Sequence, residues 1–223
     1  HPASYYSYVF VFDELSKKYY VLKNQINDPE QGLVSDSYAL DRVIEIKEQP
    51  SYEGQTLITQ SVGMDADAHV LSLALAESGK INLVSLQYID FRAAKDEDPE
   101  IKEQGILKTS ESLSLAGADA NTRGILVGQD WYFVVGNKVY TSPVLKPQLA
   151  DLTTLPDDLG VPVAVAVSSK ETHLIIATYD AGSSHENKGS FALVDLTTKE
   201  VKVHRNVMGK CVVAKGYDAN PWF

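Results

Sequence analysis

The stretch WYFVVGNKVYTSPV, residues 131–144, decides the fold class. Two runs of aromatic and β-branched residues, the types that favour strands, flank the pair Gly136 and Asn137. Gly-Asn between two such runs is typical of a two-residue hairpin turn, because the turn needs a backbone conformation that glycine and asparagine tolerate. The stretch therefore predicts an antiparallel β-hairpin.

The same pattern of strand, polar turn, lysine and second strand occurs at three further places. The copies are YVFVF-DELSK-K-YYVL at residues 8–22, HVLSLAL-AESG-K-INLVSL at 69–86 and FALVDL-TT-K-EVKVH at 191–204. The lysines that open the second strands follow one another at nearly equal intervals along the chain; they are Lys18, Lys80, Lys138 and Lys199. Such a nearly constant period predicts a tandem β unit.

Short apolar runs at residues 162–167, 173–179 and 210–215 predict further strands. Residues 36–47 fit either one helical turn or a strand, and residues 95–107 are too charged to assign. We expect an all-β protein, a β-propeller or partial propeller built from repeated antiparallel hairpins, with a sandwich as the alternative. Residues 1–223 are expected to form one such domain.

Composition excludes some classes of partner. The 223 residues include 30 Asp and Glu against 20 Lys and Arg, a net charge of −10, so the average field repels nucleic acid.

Cys211 is the single cysteine and lies in an apolar run, where a thiol usually packs as a small hydrophobe. The chain begins with His1, from which we expect a processed or truncated chain. No cofactor is predicted.

Asp65, Asp67 and His69 alternate along MDADAH and would share one face of a strand, close enough to hold a divalent cation. The alternative is that the two aspartates are solvated residues leading into the strand at Val70. Nothing in the sequence supplies the glycine and distant glutamate of a calcium loop. The first interpretation predicts a metal site at these three residues.

Four aromatic residues are candidates for ligand binding: Tyr19, Tyr20, Trp131 and Tyr132. Flat rings stack on apolar ligand faces while their polar tips keep hydrogen-bonding capacity. The alternative is core packing, because adjacent strand residues face opposite ways and one of each pair normally enters the core.

No catalytic residues are predicted. The sequence contains neither Gly-x-Ser-x-Gly nor a phosphate-binding glycine loop. Ser183, Ser184 and His185 are adjacent, but neighbours in a loop have no fixed mutual geometry of the kind a triad requires. We therefore expect a binding or assembly protein, not an enzyme.

Three segments resemble the PKD-like family of surface lipoproteins of Bacteroidetes, in the propeller-like part that follows their immunoglobulin-like region. They are YVFVFDELSKKYYVLKN at residues 8–24, WYFVVGNKVYTSPV at 131–144, and LIIATYDAGSSHENKGSFALVDLTTKEV with MGKCVVAKGYD within 174–218. They cover roughly a third of the chain and are strand-forming patterns, not active-site motifs.

The resemblance implies the C-terminal portion of a longer lipoprotein, at the cell surface on the outer membrane. It also implies assistance to a SusC/SusD-type transporter, or a neighbouring surface lipoprotein, in the uptake of a glycan or peptide. Membrane contact would then depend on a lipid anchor that is not visible in this chain. Two alternatives to this function are a glycan-active hydrolase on a propeller scaffold and a purely structural subunit.

Overall fold

The computed structural model describes residues 5–26, 39–65, 68–90 and 103–209. In that part the regular elements are fifteen strands and one short 3₁₀ helix, Asp157–Leu159, so the protein is all-β. The strands are β1 Tyr5–Asp13, β2 Lys18–Ile26, β3 Ala39–Lys47, β4 Thr56–Asp65, β5 Ala68–Glu77, β6 Lys80–Asp90, β7 Glu103–Ser114, β8 Arg123–Val127, β9 Asp130–Val135, β10 Lys138–Pro143, β11 Ala150–Thr154, β12 Val161–Val167, β13 His173–Tyr179, β14 Gly189–Asp195 and β15 Val201–Met208.

The strands form three sheets. The largest has the order β1-β2-β3-β7-β6-β5-β4, and the other two have the orders β11-β10-β9-β8 and β12-β13-β14-β15.

The chain divides into two compact units. The first takes its described residues from His1–Gly54, Ser61–Ser72 and Val84–Ser110, and the second from Gln55–Gln60, Leu73–Leu83 and Glu111–Phe223.

In the first unit, β1, β2 and β3 form an antiparallel ladder with one buried face. Tyr19, Val21 and Lys23 on β2 are 4%, 0% and 2% exposed, whereas Tyr20 and Leu22 between them are half-buried. This period of two is what a strand with one covered face produces. Residues 39–47 form a strand, which confirms the strand alternative for this segment. The pairing of β2 with β3 contains a β-bulge, where the register shifts between Lys23 and Asn24.

The pair β3 and β7 is parallel, with Ile46 opposite Gly105. A Cβ atom added at Gly105 would lie 3.0 Å from the carbonyl oxygen of Glu45 and 3.1 Å from the Cα atom of Ile46. The close approach of the two backbones therefore favours glycine at this position.

The second unit contains two four-stranded antiparallel meanders, β8 to β11 and β12 to β15. The first meander begins at Arg123 and the second at Val161. The two first strands, β8 and β12, contact each other. Both meanders contribute to one apolar core, whose buried members include Val134, Val139, Leu174, Ile176 and Val194.

All four predicted hairpins are confirmed as β1/β2, β5/β6, β9/β10 and β14/β15. The interpretation of their even spacing as one repeated unit is wrong. The first two hairpins belong to the same seven-stranded sheet, the third is the middle of its meander and the fourth is at an edge. Turn chemistry determines hairpins locally, but it does not determine which strands join them in a sheet.

The strand predicted at residues 210–215 and the expected burial of Cys211 lie outside the described residues. Within the described ranges, no helix combines the length and the apolar character that crossing a membrane requires.

Candidate interaction surface

The outward side of β1, β2 and β3 carries an apolar row. Val9 lies opposite Leu22 in the β1/β2 ladder, and Leu22 lies opposite Val43 in the β2/β3 ladder. Residues directly opposite each other in an antiparallel pair point to the same side of the sheet. Val9 and Val43 are 47% and 55% exposed, and Leu22 between them is half-buried.

Neighbouring positions on the same side extend the row. Val11 lies opposite Tyr20, and Leu40 lies opposite Asn24. Leu40 is 56% exposed. We name this surface the outer face, and its members are Val9, Val11, Tyr20, Leu22, Leu40 and Val43. Contiguous apolar areas on folded proteins are often sites of contact with another molecule.

Charged residues border one end of the outer face. Lys18 Nζ lies 3.3 Å from Glu45 Oε1, and Lys17 Nζ lies 2.7 Å from Glu14 Oε2 in the β1/β2 turn. In the same turn the Ser16 side chain and the amides of Leu15 and Ser16 hold the pKa of Asp13 below its ordinary value. An apolar centre with a charged border is the usual anatomy of a protein–protein interface.

The opposite side of these strands carries packed aromatic rings. The Phe12 and Tyr19 rings lie 5.0 Å apart, and Tyr52 packs edge-on against Tyr19 at 5.5 Å. Burial, and then the neighbouring Tyr19, raises the pKa of Tyr52 far above its ordinary value. These three rings form a packed aromatic cluster beneath the sheet, which stabilises the ladder whose other side is the outer face.

The four aromatic candidates for ligand binding separate into two kinds of position. Tyr19 and Trp131 are buried, at 4% and 2% exposure, as core packing requires. Tyr20 and Tyr132, their neighbours in sequence, are half-buried on the opposite sides of their strands. Of these four, only Tyr20 belongs to the outer face. Ligand contact by any of the four stays a prediction.

The Trp131 ring stacks on Phe133 with centroids 6.2 Å apart, inside a core cluster that includes Ala74, Ile81 and Leu115. Tyr132 packs against the core shared by the two meanders. Burial, with the Asp130 carboxylate as a second cause, raises the pKa of Tyr132. Both residues therefore contribute to packing in the second unit.

The predicted metal site falls partly outside the described residues. Asp67 and the side chain of Asp65 are not among them, whereas the His69 ring contacts Tyr8 at 4.8 Å and stacks on Tyr88 at 6.2 Å. Across the described ranges no three His, Cys, Asp or Glu side chains are grouped to hold a metal ion. The site at Asp65, Asp67 and His69 stays a prediction.

A chain of polar side chains lies at one end of the second meander. The Thr172 hydroxyl is 2.9 Å from His173 Nδ1, and His173 Nε2 is 3.4 Å from Asp195 Oδ2. This order of hydroxyl, imidazole and carboxylate resembles that of a catalytic triad. However, Asp195 also accepts hydrogen bonds from the amides of Thr197 and Thr198, which lower its pKa and hold the β14/β15 turn.

The adjacent cavity measures about 30 Å³ and is lined by His173, Leu193, Asp195, Glu200 and Lys202. That volume admits a water molecule, whereas ligand pockets measure about 300–1,000 Å³. The polar chain at His173 therefore holds the turn, and the cavity beside it is much smaller than a usual ligand pocket.

Sequence reasoning missed Val9, Leu40 and Val43 as surface residues. The available signal was the alternation along β1 and β2, which places Val9 and Leu22 on one side. Residues 36–47 were compatible with either a helix or a strand, so the sequence could not show that β3 contributes Leu40 and Val43 to the face.

Comparison with known proteins gives no family. No family model and no curated protein matches the sequence. Among solved structures, one described as the crystal structure of the tricorn protease aligns with 85% of this chain at 9% sequence identity and a TM-score of 0.33. The aligned region spans 21% of that chain.

Proposed function

We propose that this protein is a non-catalytic binding and assembly protein that contacts its partner through the outer face. The observation that carries the proposal is the row of Val9, Leu22 and Val43 across three strands, with Val9 and Val43 about half exposed. Leaving such a row in water is unfavourable, and contact with an apolar partner surface relieves that cost.

The partner we propose is a SusC/SusD-type transporter or a neighbouring surface lipoprotein, with a glycan or peptide nutrient as the transported ligand. On this proposal the protein acts at the cell surface on the outer membrane, tethered by a lipid anchor. The support is the resemblance of residues 8–24, 131–144 and 174–218 to PKD-like surface lipoproteins.

We also propose that the two meanders are blades of a β-propeller. Three observations support this arrangement: each sheet is a four-stranded meander, the starts at Arg123 and Val161 are separated by nearly one blade length, and the first strands β8 and β12 are in contact. Blades of about 40–50 residues with adjacent first strands are what a propeller requires.

The test is gentle extraction of the protein from its own membranes, followed by identification of the proteins that purify with it. The wild type is compared with Val43→Lys, which places a charge within the outer face. The matched control is Leu145→Lys, at a position 85% exposed in the second unit. We expect the transporter to purify with the wild type and with Leu145→Lys, but not with Val43→Lys.

Recovery of the wild type as a lone monomer would contradict the proposal. Equal recovery of the transporter with Val43→Lys would contradict the role of the outer face. Release of sugar or peptide products from a purified polymer by the wild type would contradict the non-catalytic assignment.

A further inference from the structure

Strand β1 lies at the edge of its sheet. Among the described strands its one hydrogen-bonded neighbour is β2, which leaves the other backbone edge of β1 without a strand from the described part of the chain. Such an edge presents N–H and C=O groups that can add a further strand. Proteins usually protect long edges with lysine, proline or a bulge.

β1 has none of these protections. Its nine residues, YYSYVFVFD, contain no lysine, proline or glycine, and the only charge is Asp13 at the end. Its register with β2 is regular from Tyr5 to Asp13 without a bulge. The strand is therefore a long template for pairing that carries no charge before Asp13.

We propose that β1 pairs with β1 of a second copy of this chain, antiparallel and about a two-fold axis. Because β1 runs from Tyr5 to Asp13, its middle residue is Val9, and full-length pairing places Val9 opposite Val9 of the second copy. Tyr8 then lies opposite Phe10 of the second copy, a pairing of aromatic residues that stabilises sheets.

Charge does not oppose a second copy at this edge. Each chain carries a net charge of −10, so two copies repel each other wherever their acidic surfaces meet. Residues 5–12 carry no charge, and self-pairing over Tyr5–Asp13 puts Asp13 opposite Tyr5, not opposite another carboxylate. The edge of β1 is thus a place where two acidic copies can meet without facing like charges.

The pairing also joins the two outer faces. In one copy the row runs from Val43 through Leu22 to Val9. With Val9 at the two-fold axis, the same row continues into the second copy, which gives one apolar row across the strands of both copies. This continuity extends the outer face without covering it, so a dimer can still bind a partner there.

The first experiment measures self-association of the purified protein by sedimentation equilibrium. We expect a dimer for the wild type and for Val9→Thr, which keeps a β-branched residue at the axis. Val9→Lys places two lysines directly opposite each other and should raise the dimer dissociation constant by at least about tenfold. Val43→Lys, the same change on the same face at an interior strand, should alter that constant by less than about threefold.

The second experiment tests the register. Opposite residues in an antiparallel pair have Cα atoms about 4.5–5.5 Å apart, which is within disulfide range. Val9→Cys in a Cys211→Ser background should therefore form a disulfide-linked dimer under mild oxidation. Leu15→Cys in the same background, at a position 96% exposed in the β1/β2 turn, should cross-link far more slowly.

A wild type that stays monomeric at the highest soluble concentration would overturn the proposal. So would equal weakening by Val43→Lys and Val9→Lys, which would indicate contact through the outer face, or equal cross-linking rates for the two cysteine variants. The test of the transporter partner is independent of these results. That test depends on Val43→Lys, whereas the test of the dimer depends on Val9→Lys.

Discussion

Arg123 on β8 donates a hydrogen bond from Nε to the backbone carbonyl oxygen of Val163 on β12, over 3.0 Å. Its Nη1 atom donates to the carbonyl oxygens of Ala120 and Thr122, each over 2.9 Å. One guanidinium therefore connects the first strands of the two meanders and satisfies three carbonyl groups at once. Arginine suits this position because its planar donors are fixed relative to one another.

Replacing Arg123 with methionine should destabilise the protein. The change keeps an apolar stem of similar length but removes the donors to three carbonyl oxygens, a loss of about 2 kcal/mol. Urea unfolding measures it as a lower midpoint. Lys138→Met, at an exposed position at the start of β10, is the control with the same change of charge and should have little effect. Equal midpoints for wild type and Arg123→Met would contradict the prediction.

Trp131→Ala should reduce stability by about 3–5 kcal/mol, because it empties a large volume in the cluster that contains Phe133 and Ile81. Thermal unfolding followed by circular dichroism measures the change. Tyr20→Ala, on the half-buried outer side of β2, should cost much less. A Trp131→Ala protein of normal stability that has lost partner binding would instead support a direct ligand contact by Trp131.

Tyr52→Phe should leave the protein as stable as the wild type or raise its stability by about 1 kcal/mol, because removing a buried polar group without a partner removes its desolvation cost. The Tyr52 hydroxyl is buried and has no hydrogen-bond partner within the part of the chain that the structure describes. Chemical denaturation measures the difference, with Tyr20→Phe as control, since the Tyr20 hydroxyl donates to Ser16 Oγ over 3.3 Å. A clear loss of stability in Tyr52→Phe would contradict this prediction.

Arg205 makes two hydrogen bonds of 3.0 Å to the Asp158 carboxylate and holds the pKa of that carboxyl below its ordinary value. Because the folded pKa is the lower one, the pair stabilises the fold above the ordinary pKa of aspartate. That contribution is lost as pH falls through the folded pKa.

Arg205→Gln should raise the pKa of Asp158 towards its ordinary value and make stability less sensitive to acid. Carboxyl carbon shifts in an NMR titration measure the pKa directly. Lys202→Gln, on the same strand, removes the same charge without touching Asp158 and serves as control. An Asp158 pKa that is unchanged in Arg205→Gln would show that another group lowers it.

The hairpins could be predicted because their information is local. Gly136 and Asn137 form the turn between β9 and β10 as expected, and Lys18, Lys80 and Lys138 each begin the second strand of a hairpin. Each pairing joins residues close in sequence, so turn type and alternation are sufficient.

The sheet neighbours could not be predicted, because they depend on contacts between distant residues. Nothing near Ile46 indicates that it lies opposite Gly105, and the turn at Lys199 gives no sign that β14 pairs with β13 on its other side. The outer face depends on the same information, since Val43 joins Val9 and Leu22 only when β3 is placed beside β2.

The parallel pair of Ile46 and Gly105 also bears on how the molecule is made. The ladder between β3 and β7 is the one parallel contact among the registers described, and three whole strands, β4, β5 and β6, separate its partners along the chain. During synthesis the edge of β3 that receives β7 has to wait until those three strands have left the ribosome. Strands that are distant in sequence pair slowly, because bringing them together reduces the conformational entropy of the long chain segment between them. Refolding should accordingly have a slow phase that reports on Ile46, and a chaperone would have its longest opportunity to act during that interval.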